Sequence, residues 1–359
     1  MKLPANVVAF AGEKVNIYKQ FKDYFNHYYK QGTFDEAISL SEKEQKINFA
    51  VKEEIARLAQ LPTVEGIAPE VLCTHPSYAW ATFAVVGAMI DSILPEAMVN
   101  SIGLYTDVRV GGYGDSFAFD VKPRDLFVVS KAGRGKRVAE IKKQFNGQVT
   151  ITPEFRDITV QVSLYKALSG MENMAEFAMR AAKSIEAQMT IDAYALFDST
   201  MGTLVNSGDA SLRVAGYTQS VLVEYAQKVS AWNGGNKAII VGTQLALQNV
   251  LPGDTNYRYD LSSDYVKLGY VRTAFGFDVM ALPQVADYKT PFKTALNNNK
   301  IYIISPSAQK LLALCIEGST LSIVSGQFDN ANLTMNTTMK KAWGLGVCTN
   351  AVAATISLA

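Results

Sequence analysis

Hydrophobic and polar positions repeat with two different periods along this chain. After Ser41, residues Ile47, Val51, Ile55 and Leu58 recur at helical spacing, and Glu and Lys fill the other face. Two capping boxes, Thr33-Phe-Asp-Glu36 and Ser41-Glu-Lys-Glu44, predict helix starts ahead of that stripe. The stripe is narrow, so the helix needs something larger to lie on. It reads equally well as a surface helix and as an arm reaching a neighbouring subunit. Pro62 to Pro76, with Pro69 and Gly66 between, reads as a connector. Tyr78 to Leu94 is apolar all round and predicts a buried helix ended by Pro95.

From Ser101 the period changes to that of extended strands. Gly111, Gly112 and Gly114 interrupt the alternation, which suits a bend where an arm leaves a body. The run Leu126-Phe127-Val128-Val129 then leads into a glycine-containing basic tip with Lys131, Arg134, Lys136 and Arg137. Val149 to Val162 alternates again and is rich in Thr, Val and Ile, with Pro153 marking an edge or bulge. This stretch predicts a long two-stranded arm with no core of its own. From Glu172 to about Asp198 the helical period returns. Met174, Ala178, Ala181, Ile185, Met189 and Leu196 share one face of a helix ~40 Å long.

Beyond Asn206 helical and strand patterns alternate. Thr218 to Ala231 and Thr243 to Leu251 read as helices. Lys237 to Gly242, Tyr270 to Leu282 and Ile301 to Ile304 read as strands. Together they predict a compact α/β unit of about 110 residues, an ordinary domain size. The closing segment is strand-like again and is expected to return to the long helix, leaving the α/β unit as an insertion.

Composition narrows the function classes. With 359 residues and a net charge of +1, the whole surface is not built for nucleic acid. Cys73, Cys315 and Cys348 are scattered and odd in number, which favours buried free thiols over a disulfide framework. The N-terminal sequence lacks the pattern of a signal peptide. The apolar run 78–94 is shorter than the roughly 20 residues of a membrane span and carries Asp91, so no membrane partner is expected. His27 and His75 sit in no metal-binding spacing. Gly133-Arg-Gly-Lys136 lacks phosphate-loop spacing, and no G-x-S-x-G elbow occurs. No catalytic residue, cofactor or metal is expected, and the chain is not read as an enzyme.

The order of these segments resembles the major capsid proteins of tailed bacteriophages, the HK-ninety-seven-like fold shared with encapsulin shells. The resemblance rests on the charged N-terminal segment, the arm, the long helix, the strand segments GYVRTAFGFDVMALPQV and NNNKIYIISPS, and the closing TMNTTMKKAWGLGVCTNAVAATISLA. It implies an α+β fold with an N-terminal arm at 1–75 and a peripheral domain that begins at 76–205. That domain would include an extended E-loop at about 115–168 and a spine helix at 171–199. An axial domain at 206–317 and returning peripheral strands at 318–359 would complete it. It further implies a homo-oligomeric shell of hexamers and pentamers around double-stranded DNA, with little sequence-specific contact; an encapsulin-type compartment shell and, of another class, a soluble α/β enzyme with its site in 206–317 are the alternatives. A separate scaffolding protein, a portal and decoration proteins would be partners. Leu126, Phe127, Lys131, Arg134, Lys136 and Arg137 would be inter-subunit contacts, and Met174, Ala178, Ile185 and Met189 would mark the spine.

Overall fold

The computed structural model describes residues 15–30, 37, 39–61, 76–121, 129, 147–163, 173–203, 212–250, 267–305, 310–324, 334–349 and 351–358. It is an α+β structure built on two sheets, with a small hairpin rooted on one of them.

The first sheet has four strands in the order β1-β10-β11-β4. These are β1 (Thr106–Gly111), β10 (Leu312–Val324), β11 (Thr334–Val347) and β4 (Glu154–Ser163). β1 runs parallel to β10, and the other two pairs are antiparallel. Successive strand side chains point to opposite faces. Leu312, Leu314 and Ile316 of β10 accordingly enter the main core, as do Met339 and Trp343 of β11. Ala313 and Cys315 face the other way.

Two long helices fill the core face: α3 (Pro76–Ile102) and α4 (Met174–Thr203). Asn173 caps α4, its Oδ1 accepting from the amides of Ala175 (3.0 Å) and Glu176 (3.3 Å). The 30 residues of α4 span about 45 Å. Among its apolar residues Ala178, Ile185 and Met189 are buried. Met174 is its first residue.

Contrary to the sequence reading, Pro95 does not end α3, which continues to Ile102. An internal proline removes the amide that would reach the Asp91 carbonyl and costs about 3 kcal/mol. Ile93, Leu94, Ala97, Met98 and Ile102 are all buried around it, and each fully buried large side chain contributes about 1.5–3 kcal/mol, which outweighs that loss. α3 is also long and apolar enough to cross a membrane, but most of it is buried in this protein.

Helices α1 (Val15–Tyr29) and α2 (Leu40–Leu58) fold back onto this layer. Phe21, Phe25, Ile47, Val51 and Ile55 are buried in the same core as α3 and α4. Over its described part, the expected arm therefore lies on its own chain. The cap of α2 is Ser39, whose side chain accepts from the Glu42 amide at 3.2 Å. Ser39 and Ser41 are both followed by Glu three residues on, and the structure uses the earlier frame.

The second sheet has six strands in the order β5-β12-β9-β6-β8-β7. They are β5 (Arg213–Ala215), β12 (Ala354–Ser357), β9 (Lys300–Ile304), β6 (Ile239–Gly242), β8 (Phe277–Ala281) and β7 (Thr273–Ala274). Helices α5 (Gln219–Trp232) and α6 (Gln244–Leu247) complete its core through Leu222, Tyr225, Ala226, Val229, Ala246 and Leu247. The expected strand at 270–282 is a hairpin, turning at Phe275 (φ 53) and Gly276 (φ 83). Two sequence boundaries move. β10 joins the four-stranded sheet from Leu312, so the α/β unit ends before 317. The closing segment also divides: β11 returns beside α4, but β12 crosses to pair with β9 and β5. Ala354 and Ile356 are buried in the α/β core, while the strand still touches α4.

Candidate assembly surfaces

The root of the arm is a two-stranded hairpin of β2 (Phe117–Val121) and β3 (Gly147–Ile151), paired from Phe117↔Ile151 to Val121↔Gly147. The alternating stretch Val149–Val162 is thus not one arm strand. It breaks at Thr152-Pro153, and its second half is β4 of the four-stranded sheet. Proline cannot donate to a ladder, which favours a change of partner there.

The arm root also has a core, against the sequence expectation. Phe117, Phe119 and Ile151 are buried with Ala313, Cys315 and Cys348 on the sheet face opposite the helices. Glycines in β11 permit this close approach: a Cβ on Gly344 would stand 2.8 Å from Ile151, and one on Gly346 2.7 Å. Arg109 of β1 adds a strap, with its guanidinium 4.1 Å from the centre of the Phe119 ring and its Nη1 donating to the Ala118 carbonyl at 2.9 Å. Burial pushes the Cys315 and Cys348 thiols up to about 11.

The turn at Gly112-Tyr113-Gly114 is where the chain leaves β1 for the hairpin. Asp115 accepts from the Gly112 amide at 2.6 Å, and Glu317 accepts from the Gly114 amide at 2.8 Å. Tyr113 lies against Gly318, whose φ of +59 requires a residue without Cβ strain, and donates to the Ser319 carbonyl. Gly318 and Ser319 belong to a register irregularity between Glu317 and Leu321 of β10.

Beneath that irregularity lies a buried charge pair. The Lys341 Nζ is 2.7 Å from Asp91 Oδ1, with side-chain exposures of 3% and 1%. Asp91 also accepts from the Thr320 amide (2.8 Å) and hydroxyl (2.6 Å), and Lys341 donates to the Gly318 carbonyl at 2.7 Å. The pair ties α3, β10 and β11 together at the point from which the arm departs. The sequence held a clue: a lone carboxylate in an apolar helix calls for a buried cation, and Lys341 alternates with Met339 and Trp343 on the core side of β11.

Of the expected contact residues, Leu126, Phe127, Lys131, Arg134, Lys136 and Arg137 lie outside the described residues. Val129, next to them in sequence, is described and is 94% exposed. The expected spine residues Ala178, Ile185 and Met189 are buried in the core. Several apolar residues that the sequence did not single out stand in solvent instead. Tyr113 stacks on Phe155 with ring centres 6.5 Å apart, and both are exposed. Leu321 and Ile323 are exposed on β10. A small hairpin at 285–295, held by the Ala286↔Thr294 bridge, presents Tyr288 at 82% exposure and a fully exposed Phe292. Its base is fixed to α4 by the Tyr194 hydroxyl, which donates to the Pro283 carbonyl at 2.9 Å. Single exposed apolar residues are ordinary, but ordered aromatics on pinned hairpins suit contact with another surface. Among the described residues, no group of three or more His, Cys, Asp and Glu side chains could hold a metal ion.

No protein-family model matches the chain, and no curated protein does. Solved structures do. The capsid of a native GTA particle is similar with a TM-score of 0.51 at 15% identity, over 72% of this chain and 90% of that one. The mature capsid of bacteriophage PhiM1 has a TM-score of 0.48 at 10% identity, over 70% of this chain and 85% of that one. The capsid of cyanophage P-SCSP1u has a TM-score of 0.47 at 11% identity, over 70% and 86%. At such identities the likeness is one of fold.

Proposed function

We propose that this chain, which has the fold of the tailed-phage major capsid proteins, is itself a structural shell protein of a tailed bacteriophage. In this reading it works without catalysis, as a subunit that self-assembles into hexamers and pentamers of an icosahedral shell around double-stranded DNA. Residues 76–121, 147–203 and 310–347 then act as the peripheral domain, and the six-stranded unit as the axial one. The virion is its place of action, after assembly in the cytoplasm of the host. Scaffolding, portal and decoration proteins are its expected partners.

The observation that carries the proposal is the arm. Its root is fixed to the body by Phe117, Phe119, Ile151 and Arg109, while the sequence beyond carries apolar Leu126-Phe-Val-Val129 and a basic tip. Val129 stands almost wholly in solvent. An apolar side chain that its own subunit leaves in solvent, as Val129 is, gains stability on a neighbour, and that stability then counts towards assembly. Leu126, Phe127, Lys131, Arg134, Lys136 and Arg137 are the proposed contacts.

Electron microscopy of the purified protein at high concentration tests the reading. Closed shells or capsomers are expected. A discrete monomer or dimer at every concentration would overturn it. Deleting Leu126 to Lys136 is expected to leave a folded, soluble subunit that forms no shells, and normal assembly of that deletion would remove the role of the arm.

A further inference from the structure

The register irregularity of β10 is two residues deep. From Glu317 to Leu321 the strand advances four residues, while its partners on β11 advance two, from Ala342 to Lys340. Gly318, Ser319 and Thr320 are left facing the single residue Lys341. A slip of one residue turns every side chain of a strand to the other face, but a slip of two keeps each on its own face. A β10 without the bulge would therefore keep its inward and outward sets. Continued unbroken from Glu317↔Ala342, it would pair Gly318 with Lys341, Leu321 with Thr338 and Val324 with Met335, all inside β11.

The local sequence accepts that slip. Thr320-Leu321-Ser322-Ile323 is a hydroxyl residue followed by an aliphatic one, twice over. Moved by two, Thr320 takes the place of Ser322, whose Oγ donates to the Phe83 carbonyl of α3 at 3.2 Å. Leu321 takes the exposed place of Ile323. At both positions like replaces like. What separates the two registers is the bulge itself, whose main-chain groups rely on side chains. The Thr320 amide and hydroxyl donate to Asp91 at 2.8 and 2.6 Å, and the Gly318 carbonyl accepts from Lys341 at 2.7 Å. The Ser319 carbonyl accepts from the Tyr113 hydroxyl. Asp91 belongs to α3 and does not travel with β10, so a slip parts it from the Thr320 amide.

We infer that β10 is a two-register strand, bulged while Asp91 holds Thr320 and straight once that hold is lost. A buried ion pair in this role selects a register rather than adding stability. The straight form draws the Ser319 carbonyl away from Tyr113. Tyr113 sits in the turn that leads into the β2–β3 hairpin, so the register is passed to the root of the arm. The inference concerns one subunit and does not depend on the shell reading.

Cysteine trapping in the full-length chain tests it. Directly opposed residues of antiparallel strands come within disulfide reach, and residues offset by two lie beyond it. Leu321→Cys with Lys340→Cys reports the bulged register, and Leu321→Cys with Thr338→Cys reports the straight one. With Asp91 and Lys341 in place, only the first pair is expected to cross-link under mild oxidation, as read from peptide masses. Adding Asp91→Leu and Lys341→Met leaves the Thr320 amide and Gly318 carbonyl of the bulged form without partners, which drives the slip. The ratio of the second cross-link to the first is then expected to rise at least about tenfold. Retention of the first cross-link alone would overturn the inference. Equal cross-linking of both pairs with Asp91 and Lys341 present would also overturn it, because Asp91 would then select nothing. Thr320→Val is the milder variant for the case in which the double one does not fold. It removes one bond to Asp91, and the second cross-link is expected to rise in it with the circular dichroism of the parent. An unchanged cross-link pattern in that folded variant would equally refute the two-register strand.

Discussion

Replacing Lys341 with Met while Asp91 stays strands a carboxylate in the core. Breaking one partner of a buried pair typically costs about 3–5 kcal/mol, because the remaining charge has no water. Lys341→Met is therefore expected to lower the midpoint of urea unfolding by that free energy. The double variant Asp91→Leu with Lys341→Met should recover part of it, but the Thr320 amide and Gly318 carbonyl remain unpaired. Equal stability of the single and double variants would refute a coupled pair. The thiols give a second check at this scale. Cys315 and Cys348 are held neutral by burial, with folded pKa values of about 11 against an ordinary value of 9.0. A raised pKa favours the fold while the group stays protonated, so this contribution is complete below pH 9 and is lost as pH rises towards 11. The slope is up to about 1.4 kcal/mol per pH unit for each thiol. Alkylation mapped by mass spectrometry at pH 8 should spare both peptides in the folded protein and label them after unfolding. The sequence made buried free thiols legible from their scatter. It could not show that the two lie under the root of the arm, because that depends on which strands become neighbours.

At the scale of elements, the arm root tests how the hairpin is anchored. Gly344 and Gly346 leave room for Ile151, and either position with a β-branched side chain would push β3 away from β11. Gly346→Val is expected to loosen β2 and β3 while the helices keep their packing. Limited proteolysis should then cut faster near Phe117–Val121 and Gly147–Ile151, with the far-ultraviolet circular dichroism almost unchanged. Unaltered cleavage would show that the hairpin does not depend on that close approach. Helix existence was readable from period alone for α2, α4 and α5, because each buries one stripe on a larger body. The end of α3 was misread because proline is a local signal and burial on both sides of Pro95 is a tertiary one. The partition of Val149–Val162 between two sheets was hidden for a related reason. Alternation reports that a strand has two faces, not which strand lies beside it.

Across the whole molecule, the chain crosses between its two sheets three times, and the third crossing places its last strand deep in the α/β unit. β12 sits between β5 and β9, and Ala354 and Ile356 are fully buried there. Asn233 holds the approach, donating to the Val352 carbonyl at 2.8 Å and accepting from the Val352 amide at 3.0 Å. Order of elements along the sequence suggested the capsid-like layout because insertion of one unit within another survives in that order. The exchange of β12 does not, since four residues of Ala-Thr-Ile-Ser suit either sheet. Its position carries a consequence for stability. Truncation after Thr349 removes an internal strand, leaves the β9 edge open and exposes the apolar surface that Ala354 and Ile356 cover. Each large apolar side chain so affected contributes about 1.5–3 kcal/mol, and the lost ladder adds to that. The truncated chain is expected to lose hydrogen-exchange protection in α5, β6 and β9, while α3, α4 and β10 keep most of theirs through the core around Met89, Met189 and Leu314, from which the truncation removes only Ala351 and Ala353. Uniform loss of protection across both sheets would instead mean that the two cores unfold as one cooperative unit. In that case the six-stranded unit would be no separately folding insertion, whatever its place in the sequence.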